Sequence, residues 1–181
     1  MKSGKTIRSF STKDGRKVVL RTPKWEDLDD LLDLINSLAE ERVVMTRKVS
    51  LEEEREWLSK ALSSLGESEA FHLVAEVGDK LVATSEIDRG QSVYERHVGG
   101  IGIAIRDGFR DIGIGTEMMK ILIEQARIMG LKVLTLSAFA NNKSAIHIYE
   151  KVGFKQTGRI PQKFFKDGKY TDEIIMIMLL E

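Results

Sequence analysis

Arg110-Asp111-Ile112-Gly113-Ile114-Gly115-Thr116 follows an apolar run at residues 101–105 and leads into a helix-patterned run at 118–129. The order reads as strand, short turn, then Gly-x-Gly at a helix start. Such a start leaves backbone N–H groups unpaired, with the positive end of the helix dipole behind them. Glycine lets the backbone come close to a ligand, and the guest that suits this chemistry is a phosphate or pyrophosphate. Two well-known phosphate loops are excluded by spacing. A dinucleotide fingerprint has a third small residue where Met118 stands, and an acid at the end of the next strand, where residues 133–138 hold none. A nucleoside-triphosphate loop separates its glycines by four residues and continues with Lys and Ser or Thr, which is absent here.

A second block lies downstream. Asn142, Ala145, Ile146 and Tyr149 are spaced to share one helix face, and Gly153-Phe154 follows. Taken with the loop, this block resembles the GNAT superfamily of N-acetyltransferases. That family carries Arg/Gln-x-x-Gly-x-Gly/Ala, then Asn-x-x-Ala-Ile-x-x-Tyr-x-x-x-Gly-Phe. A third block, Asp167-Gly168-Lys169-Tyr170-Thr171-Asp172, is similar to the C-terminal hairpin of many members. Arg21 and Asp27 fall where the family has an Arg on the first strand and an Asp opening the first helix. The resemblance covers residues 16–180. It implies an α/β fold with a mixed, mostly antiparallel seven-stranded sheet flanked by four helices.

Composition agrees with one domain spanning residues 1–181, long enough for a full core. Charge balances at 28 basic and 28 acidic residues, so no bulk attraction to nucleic acid or an anionic membrane is expected. The chain has no cysteine, which removes thiolate catalysis, disulfides and Cys-type zinc sites. Residues 1–15 read as a polar leader, flexible or at a sheet edge, without the apolar stretch of a signal peptide. A cytoplasmic location is the expectation. His72, His97 and His147 are scattered, and no metal site is read from them.

Along the chain, residues 18–21 read as a strand and Leu28, Leu31, Leu32, Ile35 and Leu38 as a helix stripe. Residues 40–49 read as a loop. Ser50 with Glu53 forms a capping box for a second helix carrying Trp57, Leu58, Ala61 and Leu62. Three strands follow at 71–77, 81–88 and 97–105, with Gly78-Asp79 as a tight turn. Gly99-Gly100 is a candidate bulge that opens the strand to a ligand. The last strand, 174–180, is apolar on both faces and belongs in the sheet interior.

The resemblance assigns roles. The loop from Arg110 through Asp111, Ile112, Gly113, Ile114, Gly115 and Thr116 would clamp the pyrophosphate of acetyl-CoA. The backbone of Ile103, Ala104 and Ile105 would pair with the pantetheine arm. Tyr149 would be the general acid toward the leaving thiolate, and Asn142 would bind pantetheine or cap its helix. A base is missing from both usual family positions, which here are Ser137 and Gly99. Glu86 and His97 are the remaining candidates. An α-amine, with a pKa near 8, can also react without a dedicated base. The expected activity is acetyl transfer from acetyl-CoA to a small amine or amino acid. The alternatives are an enzyme of peptide or protein N-termini and a coenzyme A-binding module without turnover. The family often forms homodimers, and its acceptor specificity sits in the segments that are residues 40–49 and 160–170 here.

Overall fold

The computed structural model of the protein describes residues 2–41, 47–166 and 168–181. A hairpin opens the chain, β1 (Thr6–Ser11) and β2 (Lys17–Arg21), followed by a 3-10 turn at Trp25–Asp27. Two helices come next, α1 (Leu28–Glu41) and α2 (Leu51–Ser63), then the antiparallel strands β3 (Ala70–Val77), β4 (Lys80–Arg89) and β5 (Val98–Ile105). The second half runs α3 (Ile114–Ile128), β6 (Val133–Phe139), α4 (Lys143–Val152), β7 (Lys155–Lys166) and β8 (Lys169–Leu179). Among the described residues, no helix is long and apolar enough to cross a membrane.

The strands form one sheet in the order β1-β2-β3-β4-β5-β6-β8-β7. Every neighbouring pair is antiparallel except β5 with β6. The sheet therefore has eight strands where the sequence suggested seven, and the extra one, β1, is the sheet-edge alternative for the polar leader. Its signal was hidden by an irregularity. The register slips between Thr6 and Arg8, so Ile7 and Phe10 both pack on the core although their spacing breaks the two-residue strand period.

Two helical layers cover the sheet. Leu31 of α1 and Leu58 of α2 pack on Val74 and Leu81, all fully or almost fully buried. On the opposite face, α3 lays Met118, Met119, Ile121 and Leu122 against Leu73, Ala75 and Ala83. Each such side chain stabilises the fold by about 1.5–3 kcal/mol relative to exposure. The capping box at α2 forms as read: Glu53 N–H donates to Ser50 Oγ at 3.3 Å, and Ser50 N–H donates to Glu53 Oε2 at 2.8 Å.

The Gly99-Gly100 bulge does not form. Pairing of β4 with β5 runs without a slip from Ala83–Ile105 to Arg89–Gly99. A Cβ at Gly99 would sit 2.7 Å from Leu131 and 3.0 Å from Ile87 side-chain carbons, so glycine there serves close packing. The opening lies one step further on. β5 pairs with β6 only at Val98–Val133, Gly99–Leu134 and Gly100–Thr135, and beyond Gly100 the two strands part.

Arg21 and Asp27 meet as one buried unit. Arg21 donates to both oxygens of Asp27 at 2.7 Å and to Glu76 at 2.7 and 3.0 Å. Asp27 also accepts from the Lys24 backbone N–H at 2.9 Å. The pair therefore ties β2, the entry to α1 and β3 together. Asp27→Ala would strand the Arg21 charge on that side, and removing one partner of a buried pair costs about 3–5 kcal/mol. Chemical denaturation should report a loss of that size, and a loss under 1 kcal/mol would refute the anchoring role.

Candidate active site

Two cavities meet where β5 and β6 part. The larger, about 1220 Å³, is bounded by residues 110–117, the Ile103 and Ile105 face of β5, and α4. At its centre Gly113 is the N-cap of α3, with no side chain capping the helix. Its φ of +107° lies in the left-handed region, and a Cβ there would meet nothing within 4 Å. Among the described residues, the N–H groups of Asp111, Ile112 and Gly113 have no partner within the chain. The loop thus presents open backbone donors at a helix N-terminus. Lys13, Lys120, Arg127 and Lys151 line the same groove, together with Glu117 and Glu124.

The loop residues divide their work. Arg110 donates from Nε to the Ile105 carbonyl at 2.8 Å, and its guanidinium pairs with Glu41 and, at 3.6 Å, with Asp107. Its charge is therefore already matched, and it fastens the loop to β5 and α1. Asp111, at a left-handed φ of +61°, has its carboxylate held by the Ser144 hydroxyl on the first turn of α4. Lys13 of the β1–β2 turn reaches the loop as well, its N–H donating to the Ile112 carbonyl at 3.3 Å. Ile114 is fully buried and serves the core, whereas Thr116 lines the groove. Gly115 allows a close approach, since its Cβ would lie 3.1 Å from Ile105 and 3.4 Å from Ile148.

The smaller cavity, about 460 Å³, lies on the α1–α2 side. Trp57, Leu31 and Ile35 form its walls, with Glu54, Ser85, Glu86, Gly102 and Ala104 among its other lining residues. Glu86 faces Gly102 across the β4–β5 ladder, and a Cβ at Gly102 would come within 3.1 Å of Glu86 Oε1. The missing side chain makes the space for that carboxyl. Burial, then the neighbouring Asp88 charge, push Glu86 up to about 7, against a hydrogen bond from Trp57 that pulls it down. His72 Nδ1 lies 3.7 Å from Glu86 Oε2 without a hydrogen bond, and burial lowers its pKa, disfavouring the charged ring.

Ile103, Phe139, Asn142 and Tyr149 line both cavities. Tyr149 is only 7% exposed, and burial pushes its phenol up to about 12. Among the described residues its hydroxyl has no hydrogen-bond partner. Asn142 caps α4, accepting from Ala145 N–H at 3.2 Å, which realises the helix-cap alternative of its reading. Ile103 and Ala104 lie on the β5 edge that β6 leaves unpaired, while the Ile105 carbonyl is taken by Arg110. His97 is not brought to the site. It is exposed at the far end of β5 and lines neither cavity, because its carbonyl is tied to the N–H groups of Lys132 and Val133. The segment 40–49 contributes Glu41 and Val49, its residues 42–46 lying outside the described ones, as does Asp167 of the 160–170 hairpin.

The Acetyltransferase (GNAT) family profile matches residues 28–154, from the start of α1 to the second residue after α4. The chain belongs to this family. Among other GNAT proteins it is similar to the L-methionine sulfoximine/L-methionine sulfone acetyltransferase of Pseudomonas aeruginosa, with 32% identity over 79 residues. That match spans 44% of this chain and only 46%, about half, of the relative. YwnH of Bacillus subtilis, provisionally named a phosphinothricin acetyltransferase, is 26% identical over 86% of this chain and 94% of its own. In fold, the chain resembles YncA of Salmonella typhimurium, solved with acetyl-CoA, at a TM-score of 0.80. There the identity is 20%, covering 91% of this chain and 94% of that one.

Trp57, Glu54 and Gly102 were missed in the sequence, where they look like ordinary helix and strand residues. Only the β3–β4–β5 pairing brings them around Glu86. The raised Glu86 pKa carries a consequence for stability. Between its ordinary value of 4.5 and about 7, the folded chain holds a proton that the unfolded chain has released. Stability therefore falls as pH rises through that window. Glu86→Gln should raise the melting temperature relative to the parent near pH 8, and the gain should vanish at or below about pH 4.5. An equal difference at both pH values would show that Glu86 is not buried in the way described.

Proposed function

We propose that this protein transfers the acetyl group of acetyl-CoA to a primary amine. The observation that carries the reading is Tyr149, whose hydroxyl stands unpaired where the two cavities join. The long groove suits an elongated anionic ligand, since it combines open backbone donors at Gly113, basic side chains and an unpaired strand edge. When bound, acetyl-CoA supplies an acetyl thioester and a thiolate leaving group. The N–H groups of 111–116 would hold its pyrophosphate, and the Ile103–Ala104 edge its pantetheine arm. The names of the two relatives and the bound ligand of YncA support the same activity.

Proton handling follows from the two environments. Glu86, near 7, is about half ionised at neutral pH and can accept a proton from an amine in the smaller cavity. Tyr149, near 12, keeps its proton at that pH and donates a hydrogen bond to the departing sulfur. As the amine nitrogen bonds to the acyl carbon, the carbon–sulfur bond breaks. Counted from the neutral amine, one proton leaves nitrogen and one ends on sulfur; an acceptor that arrives as the ammonium first gives up a further proton, which passes through Glu86 to solvent. A carboxyl and a phenol tuned in this way favour turnover over a module that only binds coenzyme A.

Gly113→Val should abolish coenzyme A binding in calorimetry while the circular dichroism spectrum stays native. The new side chain would enter the space of the phosphates, and its left-handed backbone would cost about 1–2 kcal/mol locally. Unchanged affinity would sink the groove assignment.

Thiol release from acetyl-CoA in the presence of primary amines measures turnover directly. Tyr149→Phe should lower kcat by about 10²–10³-fold, as for loss of one transition-state donor, with coenzyme A affinity retained. The kcat/KM profile should climb through an acid limb near 7 that is the same for every amine and disappears in Glu86→Gln. A limb that follows each amine's own pKa and survives in Glu86→Gln would assign deprotonation to solvent.

A further inference from the structure

We infer that the smaller cavity selects an acceptor amine carrying a second positive charge and no carboxylate, with the second charge seated against Glu54. This rests on the acetyl-transfer reading above and names the acceptor class for that site. Among the described residues lining the cavity there is no Lys, Arg or His, whereas Glu53, Glu54 and Glu86 are all present. The three carboxylates are not equivalent. Glu53 is matched by Arg47 at 2.6 Å and by the Ser50 N–H at 2.8 Å. Glu54 is only 5% exposed, and among the described residues its side chain makes no hydrogen bond or ion pair.

A buried carboxylate without a partner is costly, and a neutral residue of similar length would occupy this wall more cheaply. Its place in the first turn of α2 offsets part of that cost through the helix dipole. The remainder is met by a cation from outside the chain. Glu54 and Glu86 also repel one another, and burial raises the pKa of both. An acceptor with two ammonium groups relieves both carboxyls, one at the reacting end and one at the wall. Trp57, one turn beyond Glu54, together with Leu31 and Ile35, supplies apolar surface for the methylenes between the two charges. An α-amino acid would instead bring its carboxylate against Glu54 and Glu86, with no cation among the described lining residues to receive it. The acceptors named for the two relatives above, L-methionine sulfoximine or sulfone and phosphinothricin, therefore do not carry over to this cavity.

Three probes share a four-carbon chain and differ only at the far end: 1,4-diaminobutane, n-butylamine and 4-aminobutanoate. Calorimetry on the full chain without acetyl-CoA should find the diamine tightest and 4-aminobutanoate weakest. The diamine should exceed butylamine by about 10–100-fold, the worth of one hydrogen bond to a charged group. Glu54→Gln should bring the diamine down to the butylamine level, and Glu54→Asp should restore part of the difference. Equal binding of all three probes, tighter binding of 4-aminobutanoate, or an unaltered diamine affinity in Glu54→Gln would overturn the inference. Thiol release with acetyl-CoA on the same amines separates the two readings. Turnover of 4-aminobutanoate in preference to the diamine refutes the charge selection alone. No turnover of any amine refutes acetyl transfer, and the binding order then decides the Glu54 subsite by itself.

Discussion

Parallel strands pair only while their hydrogen-bond directions agree, and β5 and β6 hold that agreement for three residue pairs. After Gly100, β5 follows β4 while β6 follows β8, each keeping its antiparallel ladder to the end. Every part of the site follows from this divergence. The edge of β5 from Ile101 onward has lost its neighbour on one side, so its polar backbone groups face open space instead of a strand. Among the described residues, the lining of both cavities includes Tyr149 of α4, set at the mouth of the gap. The same parting connects one face of the sheet to the other, which an unbroken sheet would not permit.

Much of this was legible in the sequence because it rests on local signals. The Gly113 N-cap, the Ser50 capping box and the Asn142 cap are short-range patterns that fold as read. The interior place of β8 followed from its double-sided apolar pattern, and the structure has it between β6 and β7. What escaped was set by pairing across the chain. The β1 strand lost its alternation to a register slip, and Gly99 proved to be a packing glycine under Leu131. Glu86 and His97 were both candidate bases, yet strand direction sends the two to different places. Glu86 and Gly102 are partners only because β4 and β5 are in the register observed.

The acidic character of the smaller cavity is similarly non-local. Glu54 arrives on a helix, Glu86 and Asp88 on β4, and His72 on β3, each unremarkable in its own segment. Asp88 and Glu54 act on Glu86 in its buried surroundings, where charges interact more strongly than in water. Burial lowers the His72 pKa and so disfavours the charged ring that would offset the carboxyls.

The hairpin of β1 and β2 touches the loop before α3 through Lys13 and Arg16, and Arg8 of β1 pairs with Glu117 and Glu124 on α3. These partners are separated by about a hundred positions along the chain. During synthesis the first strand therefore leaves the ribosome long before the groove it completes exists. Its closing contacts form only after α3 has been made, and the β6 wall must still await β8, the final strand. Such long-range contacts are slow to find, because the loop they close is entropically expensive. The groove is consequently among the last parts of the molecule to be assembled, since the residues lining it run from Phe10 to Met178.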